Sequence, residues 1–116
     1  MKRDMNLIRL LLLETEGATP KPDLSSYTTE QMVYHSALLV EAGLVDGTII
    51  ENGSGYPAGT TIIRLTWAGH DFLDAARSDT IWKKAGEKIK AAGVEVTIDV
   101  LKEVLKQLAR QSLGLP

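Results

Sequence analysis

The sequence predicts an α+β fold, a winged helix (winged helix-turn-helix-like) with a two-stranded wing and a C-terminal helical extension. The first observation is a pair of β-branched segments, Thr48–Glu51 and Thr60–Leu65, separated by the Gly-rich tip Asn52–Gly59. This is the pattern of a β-hairpin. Alternation along the second strand places Ile63 and Leu65 on one face and Ile62 and Arg64 on the other. The second observation is that helical patterns flank this hairpin on both sides. The third is an amphipathic helical pattern from Ile98 to about Leu113, beyond the hairpin unit.

Composition and charge limit the classes of function. The 116 residues suit one domain, with 44% hydrophobic and 24% charged residues. Cysteine is absent, which excludes disulfides, thiolate metal sites and cysteine nucleophiles, and we expect a cytoplasmic location. Residues 1–58 carry four basic and eight acidic side chains, and residues 59–116 carry nine basic and seven acidic ones. DNA binding depends on phosphate neutralisation by Lys and Arg, so the acidic half, which would hold a recognition helix, is poorly suited to it.

The first predicted helix is Met5–Glu16, with Asp4 as its N-cap. Its Leu-rich interior is interrupted by Arg9, so we expect the helix to be covered on most sides. The segment from Gly17 to Pro22 ends it, because proline cannot continue the hydrogen-bond ladder. No apolar run approaches the ~18 residues that a membrane span needs, so we expect no membrane partner.

The second predicted helix begins after Thr28 or Thr29 and ends near Ala42, with Gly43 as a left-handed stop. A helical wheel at ~100° per residue defines a core side and an outer side. The core side carries Met32, His35, Ser36, Leu39 and Ala42. The outer side carries Glu30, Val33, Tyr34, Ala37 and Glu41. The outer side therefore has two acids and no base.

A third helix is predicted over Trp67–Ala76, directly after the hairpin, with Thr66 as its N-cap. Its periodicity predicts three buried positions, Phe72, Leu73 and Ala76. The two tryptophans, Trp67 and Trp82, are also expected in the core, since the chain has little other aromatic mass.

Two more helices complete the chain. One covers Thr80–Ala92 after a cap at Ser78 or Asp79, although a helix continuous from Trp67 is an alternative. The other covers Ile98 to about Leu113, with Thr97 as its N-cap. The chain is therefore divided into a winged-helix domain, residues 1–77, and a C-terminal helical extension, residues 78–116. The extension is either part of the same compact domain or a dimerisation arm.

Several stretches resemble a known family. They are the opening Met1–Asp4, Tyr34-His35 leading into Leu38–Leu44, and Arg64–Arg77 followed by Asp79–Lys84. Together they resemble a family of short uncharacterised bacterial proteins, often found in prophages and carried as a domain of unknown function. The resemblance implies a winged-helix fold and supplies no catalytic residues. One departure concerns the short helix that precedes a recognition helix, because only the Pro-containing segment Gly17–Tyr27 occupies its place.

Nucleic-acid contact is one hypothesis for the helix after Thr28, the wing and the following lysine group. The candidate contact residues are Thr28, Thr29, Gln31, Arg64, Lys83 and Lys84. The alternative is structural: threonine caps the helix, and lysine on an amphipathic helix solvates its outer face. Val33, Tyr34 and Ala37 on the outer helix face instead favour an unidentified protein partner.

A homodimer is a further hypothesis, carried by the apolar stripe of the last helix. The candidate interface residues are Ile98, Leu101, Val104, Leu105 and Leu108. The alternative is that this stripe folds back on its own domain. The charge pattern of the helix is too short to assign a coiled coil.

Catalytic and metal-binding patterns are absent from the sequence. No nucleophile is paired with a base, and the Gly-rich tip lacks the strand-to-helix context of a phosphate loop. His70 and Asp74 are one helical turn apart, but a third metal ligand at suitable spacing is missing. We therefore expect no cofactor and no metal, and predict a non-enzymatic, phage-derived regulator or adaptor that acts by binding. The alternative is a sequence-specific DNA-binding transcriptional regulator.

Overall fold

The computed structural model describes residues 1–116, which form five helices and a two-stranded antiparallel sheet. The elements in chain order are α1 (Met5–Glu16), α2 (Thr29–Glu41), β1 (Val45–Glu51), β2 (Pro57–Leu65), α3 (Trp67–Ala76), α4 (Asp79–Ala92) and α5 (Ile98–Ser112). The chain forms two compact units, Met1–Asp71 and Phe72–Pro116. The division falls inside α3, a few residues before the boundary drawn from the sequence. The mixed α+β class is confirmed.

Helix α1 begins and ends where local chemistry predicts. The Asp4 carboxylate accepts hydrogen bonds from the backbone N–H groups of Asn6 and Leu7, which satisfies two of the free donors at the helix start. Gly17 ends the helix in the left-handed conformation, with φ of 83°. Leu7 and Leu12 are fully buried, as expected for a helix covered on most sides. No helix of the structure is both long and apolar enough to cross a membrane.

Residues 17–28 contain no helix, as the two prolines predicted. Helix α2 then begins with a reciprocal cap: the Thr28 hydroxyl accepts from the Gln31 backbone N–H, and the Gln31 side-chain oxygen accepts from the Thr28 N–H. The helix ends at Glu41, and Gly43 follows in the left-handed conformation with φ of 72°. The predicted N-cap and the predicted left-handed glycine after this helix are both confirmed.

Helix α2 is enclosed on more sides than its wheel predicted. It packs against α1 and against both strands of the ribbon. Ala37, predicted on the outer side, is therefore buried, and Val33 and Tyr34 are half-buried. The helical-wheel prediction was wrong at these positions because it assumed that α2 packs on one side only. In the structure, α1 and the ribbon both cover the helix. The strongly exposed part of α2 is reduced to its ends, where Glu30 and Glu41 lie.

The antiparallel ribbon is longer than predicted. β1 begins at Val45 instead of Thr48, and β2 begins at Pro57 instead of Thr60, so the tip shortens to residues 52–56. Gly47, which the predicted strand left out, lies inside β1. Here glycine is required, since a side chain at Gly47 would overlap the backbone carbonyl of Thr61 on the facing strand.

The predicted alternation of β2 fails at Ile63. Ile63 and Leu65 were expected on one face, yet Leu65 is buried and Ile63 is 70% exposed. The reason is a register shift: Asp46 pairs with Arg64, but the next residue, Gly47, pairs with Ile62. This β-bulge leaves Ile63 without a partner and turns its side chain away from the core. A second shift lies between Ile50 and Glu51.

The junction from the ribbon into α3 is fixed by a close backbone approach. The Thr66 hydroxyl donates to the Gly43 carbonyl at 2.5 Å and accepts from the Gly69 N–H at 3.1 Å, which confirms Thr66 as the N-cap. The Thr66 N–H donates to the Leu44 carbonyl at 3.1 Å. A side chain at Gly69 would overlap that same carbonyl, so only glycine permits this junction.

The second unit is organised by helix caps and apolar stripes. Its predicted buried positions in α3, Phe72, Leu73 and Ala76, are confirmed. A separate helix α4 begins after Ser78, whose hydroxyl accepts from the Ile81 N–H, so the continuous helix is wrong. α4 and α5 pack against each other. The Trp82 ring meets the Phe72 ring edge-on at 6.4 Å between centroids.

Candidate functional site

A groove of about 260 Å³ lies between the first turns of α2 and the tip of the ribbon. The N-terminus, the start of α2 and the ribbon tip all contribute to its lining, which consists of Met1, Thr29, Glu30, Val33, Tyr34, Asn52, Ser54, Tyr56, Pro57 and Ala58. We call this feature the tip groove. No lysine or arginine lines it. It therefore combines aromatic side chains with the carboxylate of Glu30 at the start of α2.

The ribbon tip is shaped by short-range polar contacts. The Asn52 side-chain oxygen accepts hydrogen bonds from the Ser54 N–H at 3.1 Å and from the Ser54 hydroxyl at 2.6 Å. Gly53 and Gly55 both adopt positive φ, of 80° and 88°, which lets the chain reverse within a few residues. The reversal delivers Tyr56 back toward α2.

Two tyrosine rings form one wall of the tip groove. The centroids of Tyr34 and Tyr56 are 5.9 Å apart, and the planes are inclined by 55°. The Tyr34 ring also meets the His35 ring edge-on at 5.7 Å. Tyr34 is half-buried between these neighbours, while Tyr56 is 52% exposed. The pair therefore presents aromatic surface to solvent while its inner ring is held in place.

The acidic element of the tip groove is Glu30, in the first turn of α2. It is exposed and makes no ion pair or hydrogen bond with another side chain of the chain. An acid at this position is stabilised by the positive end of the helix dipole. Its carboxylate is thus available to a ligand.

A buried polar cluster holds α1 and α2 together beside this site. His35 is 1% exposed, and its Nε2 accepts a hydrogen bond from the Asp4 backbone N–H at 2.8 Å. Its Nδ1 lies 2.7 Å from the Gln31 carbonyl, to which it donates. One ring nitrogen accepts and the other donates, so the imidazole is the neutral tautomer protonated at Nδ1. Burial raises the pKa of Tyr27 above its usual 10.0, and the charge and hydrogen bond of Asp4 add to this.

The predicted nucleic-acid residues of α2 are used as caps. The Thr28 hydroxyl and the Gln31 amide oxygen satisfy each other's backbone N–H groups, which favours the structural alternative for both residues. Thr29 is exposed and lines the tip groove beside Glu30. The exposed carboxylate next to it opposes the approach of a phosphate.

Arg64 lies at the other end of the ribbon from the tip groove. It pairs with Asp46 at the base of the strands, with a guanidinium–carboxylate distance of 2.9 Å. From Ala58, which lines the groove, the strand runs six residues to Arg64, roughly 20 Å at ~3.3 Å per residue. The structure therefore separates Arg64 from Thr28, Thr29 and Gln31 and supplies it with a counter-ion.

Lys83 and Lys84 are exposed on α4, in the second unit. Lys88, in the same lysine group, donates to the Gln107 side chain of α5 at 2.8 Å. The structure gives Lys83 and Lys84 no side-chain partner, and exposure alone does not separate phosphate binding from solvation. Their nucleic-acid role stays a prediction.

The candidate dimer stripe is largely packed within the single chain. Leu101 and Leu105 are buried, and Ile98, Val104 and Leu108 are half-buried. The most exposed apolar residue near this helix is Leu113, which is 74% exposed. A homodimer therefore stays a prediction, and its interface would have to use the half-buried edge of α5.

The structure brings together no group of three or more His, Asp or Glu side chains that could hold a metal ion. His70 is exposed on α3. The expectation of a non-enzymatic protein without a cofactor is not tested by this observation.

Sequence reasoning missed two exposed aromatic residues. Trp67, expected in the core, is 84% exposed. It precedes Phe72 by five positions, and five steps of ~100° place its side chain about 140° around α3 from that buried residue. The exposure of Trp67 could therefore have been predicted from the sequence. Tyr56 was treated as part of a flexible tip, although a single aromatic residue inside a Gly-rich tip is a candidate for packing or binding.

Two comparisons relate the chain to other proteins. A family model described as "Hypothetical protein (DUF2513)" matches residues 2–95, which include α1 to α4. A protein of Haemophilus influenzae described as "Uncharacterized protein" is 33% identical over 120 residues, covering 98% of this chain and 100% of the relative. No solved structure matches the chain. On the strength of the family model and this relative, the chain belongs to the DUF2513 family.

Proposed function

We propose that this protein is a cytoplasmic, non-enzymatic regulator or adaptor of phage origin that binds another protein through the tip groove. The observation that carries the proposal is the composition of that groove, in which two tyrosines and an unpaired Glu30 occur without any lysine or arginine. Tyrosine is enriched in the central contacts of protein interfaces, whereas DNA-binding surfaces are strongly basic.

The scaffold for this role is proposed to be a degenerate winged helix. The order α1, α2, β1, β2, α3 and the packing of the ribbon against α2 support that assignment. The segment 17–28 lacks the short helix that normally precedes a recognition helix. A winged helix without that helix has lost part of the surface that crosses the DNA backbone, which favours a different ligand.

Site-specific photocrosslinking in cells tests the proposal. A benzophenone amino acid replaces Tyr56, and in a matched control it replaces Trp67, another exposed aromatic residue of the first unit that does not line the groove. We expect a discrete protein adduct at position 56 that is weak at position 67. Equal capture at both positions, or none at position 56, would contradict a partner at the tip groove.

The alternative is a sequence-specific DNA-binding transcriptional regulator, favoured by the exposed Thr29 and Arg64 and by Lys83 and Lys84. A DNA binder would show duplex affinity that falls steeply between about 50 and 200 mM salt. Arg64→Ala and Lys84→Ala would each weaken it. The protein-binding proposal expects no duplex retardation at about 50 mM salt, and genomic neighbours from a repressor cassette would favour the alternative.

A further inference from the structure

We propose that the tip groove recognises an arginine side chain presented by an exposed segment of the protein partner. This inference rests on the proposed function and specifies the chemistry of the partner. The groove combines the two features that bind a guanidinium group: an exposed aromatic face and an unpaired carboxylate.

The aromatic feature is the joined surface of Tyr34 and Tyr56. The ring centroids are 5.9 Å apart and the ring planes are inclined by 55°, so the two rings form an angled aromatic wall, and a planar ligand would stack on the face of one ring. Val33 and Pro57 line the same groove with apolar surface. A planar cation can stack on such a face, and Arg does so more often than Lys.

The charged feature is Glu30, which lines the same groove. A guanidinium group stacked on a tyrosine keeps its N–H groups in its own plane, parallel to the ring, from which they can donate side by side to both oxygens of a carboxylate. A lysine ammonium would satisfy the charge but would lose both the planar stacking and the paired hydrogen bonds. The arrangement therefore favours arginine over lysine.

The charge of the surrounding unit supports a basic partner. Met1–Asp71 carries five basic and nine acidic side chains. One of the five, Arg64, already pairs with Asp46. An acidic unit attracts a basic segment over several ångströms and repels the phosphates of nucleic acid, so long-range charge and local groove chemistry select the same ligand class.

The test is a titration of the full-length 15N-labelled chain, followed by amide chemical shifts. The probe is N-acetyl-arginine amide, and the matched control is N-acetyl-citrulline amide, which has the same shape without the charge. We expect the arginine probe to shift the signals of residues 29–34 and 52–58, with a dissociation constant of about 1 mM, a reasonable value for so small a ligand. Citrulline is expected to bind at least about tenfold more weakly, since it forms no ion pair.

Two variants locate the contact. Glu30→Gln is expected to weaken arginine binding about tenfold, the loss of one charge-assisted hydrogen-bonded pair. Glu41→Gln removes another exposed acid, at the other end of α2, and is expected to leave binding unchanged. Equal affinity for arginine and citrulline, an unchanged Glu30→Gln variant, or shifts outside the groove would each overturn the inference.

The results also separate this inference from the function on which it rests. A protein adduct at position 56 in cells, together with no arginine-induced shift, overturns the arginine inference and leaves the protein-binding function standing. A protein adduct absent at position 56 overturns the function itself. Signals of the same residues that move with a short DNA duplex and not with arginine would overturn both in favour of nucleic acid.

Discussion

The β1–β2 ribbon and the α4–α5 helix pair are held in shape by different kinds of constraint. The ribbon depends on contacts distant in sequence: two register shifts, a glycine pressed against the opposite strand, and packing onto α2. The helix pair depends on local signals, namely hydroxyl caps at Ser78 and Thr97, a left-handed Gly93, and apolar residues at helical spacing.

This difference bears on function. In the ribbon, the register shifts and positive-φ glycines leave Ile63 exposed and bring Tyr56 onto Tyr34. In the helix pair, the regular stripes bury their apolar residues against one another and leave a solvated charged surface. The irregular ribbon therefore exposes aromatic and apolar groups to solvent, whereas the exposed large apolar residues of the second unit lie outside the two helices, at Val94, Val96, Leu113 and Leu115. Substitutions in the helix pair and in the parts of the chain around the ribbon, from Tyr27 to His70, can challenge this contrast.

The largest expected effect is the opposite response of two helical glycines to alanine. Gly69→Ala is expected to reduce the free energy of unfolding by about 3 kcal/mol, because the methyl group would overlap the Leu44 carbonyl. Gly86→Ala in α4 meets no atom within 4 Å and is expected to raise it by about 0.5–1 kcal/mol through helix propensity. Urea denaturation followed by circular dichroism measures both changes. The same sign for both substitutions would remove the contrast between the regions.

The second effect concerns the buried imidazole. His35→Ala is expected to lower the free energy of unfolding by about 2 kcal/mol, because it leaves the Asp4 N–H and the Gln31 carbonyl without partners. The control is His70→Ala, a change at an exposed histidine that is expected to stay within about 0.5 kcal/mol of the wild type. Chemical denaturation of both variants provides the measurement, and a His35→Ala variant as stable as His70→Ala would disprove the structural role of the ring.

The third effect is smaller and tests local control in the helix pair. Thr97→Ala removes the hydroxyl that accepts from the Val100 N–H at the start of α5. The expected loss is about 1 kcal/mol, and Thr97→Ser should recover most of it. Amide hydrogen exchange would show the first turn of α5 opening more often. Loss of protection in α1 or α2 instead would mean that the two regions do not respond separately.

The smallest effect is a pH dependence at Tyr27. Because its pKa is raised above 10.0 in the folded chain, its contribution to stability is complete below pH 10 and is lost as pH rises through the raised pKa. Wild type is therefore expected to lose more stability than Tyr27→Phe when the pH is increased above 10. Urea midpoints measured for both proteins on either side of pH 10 test this. If the urea midpoints of both proteins changed equally with pH, the interaction between Tyr27 and Asp4 would contribute nothing to stability.

The contrast also explains how much was predictable from the sequence. The caps Asp4, Thr66 and Thr97 and the buried stripe of α3 follow from signals within a few residues, and all are present. The exposure of Ile63 follows from the register shift at Gly47, where the backbone lies close to the facing strand. This register is set by pairing between the two strands, and no pattern within either strand encodes it. The burial of Ala37 depends on a second packing neighbour.

The same distinction applies to the candidate site. Glu30 and Tyr34 were placed on one helix face from periodicity, but the contribution of Tyr56 required the folded ribbon. Thr28 and Gln31 appeared as contact candidates because both side chains can form hydrogen bonds. The sequence alone does not show which partner each of them bonds to. In the fold they bond to each other's backbone.

The chemical nature of the molecule that crosslinks to position 56 in cells tests the central claim most directly. The account predicts an adduct that is heavier than the free chain by the mass of a protein, that nuclease leaves unchanged, and that is reduced when Glu30 is changed to Gln. An adduct that nuclease trims to nearly the mass of the free chain, unaffected by Glu30→Gln, would show that the surface between α2 and the ribbon tip meets nucleic acid and would contradict the account.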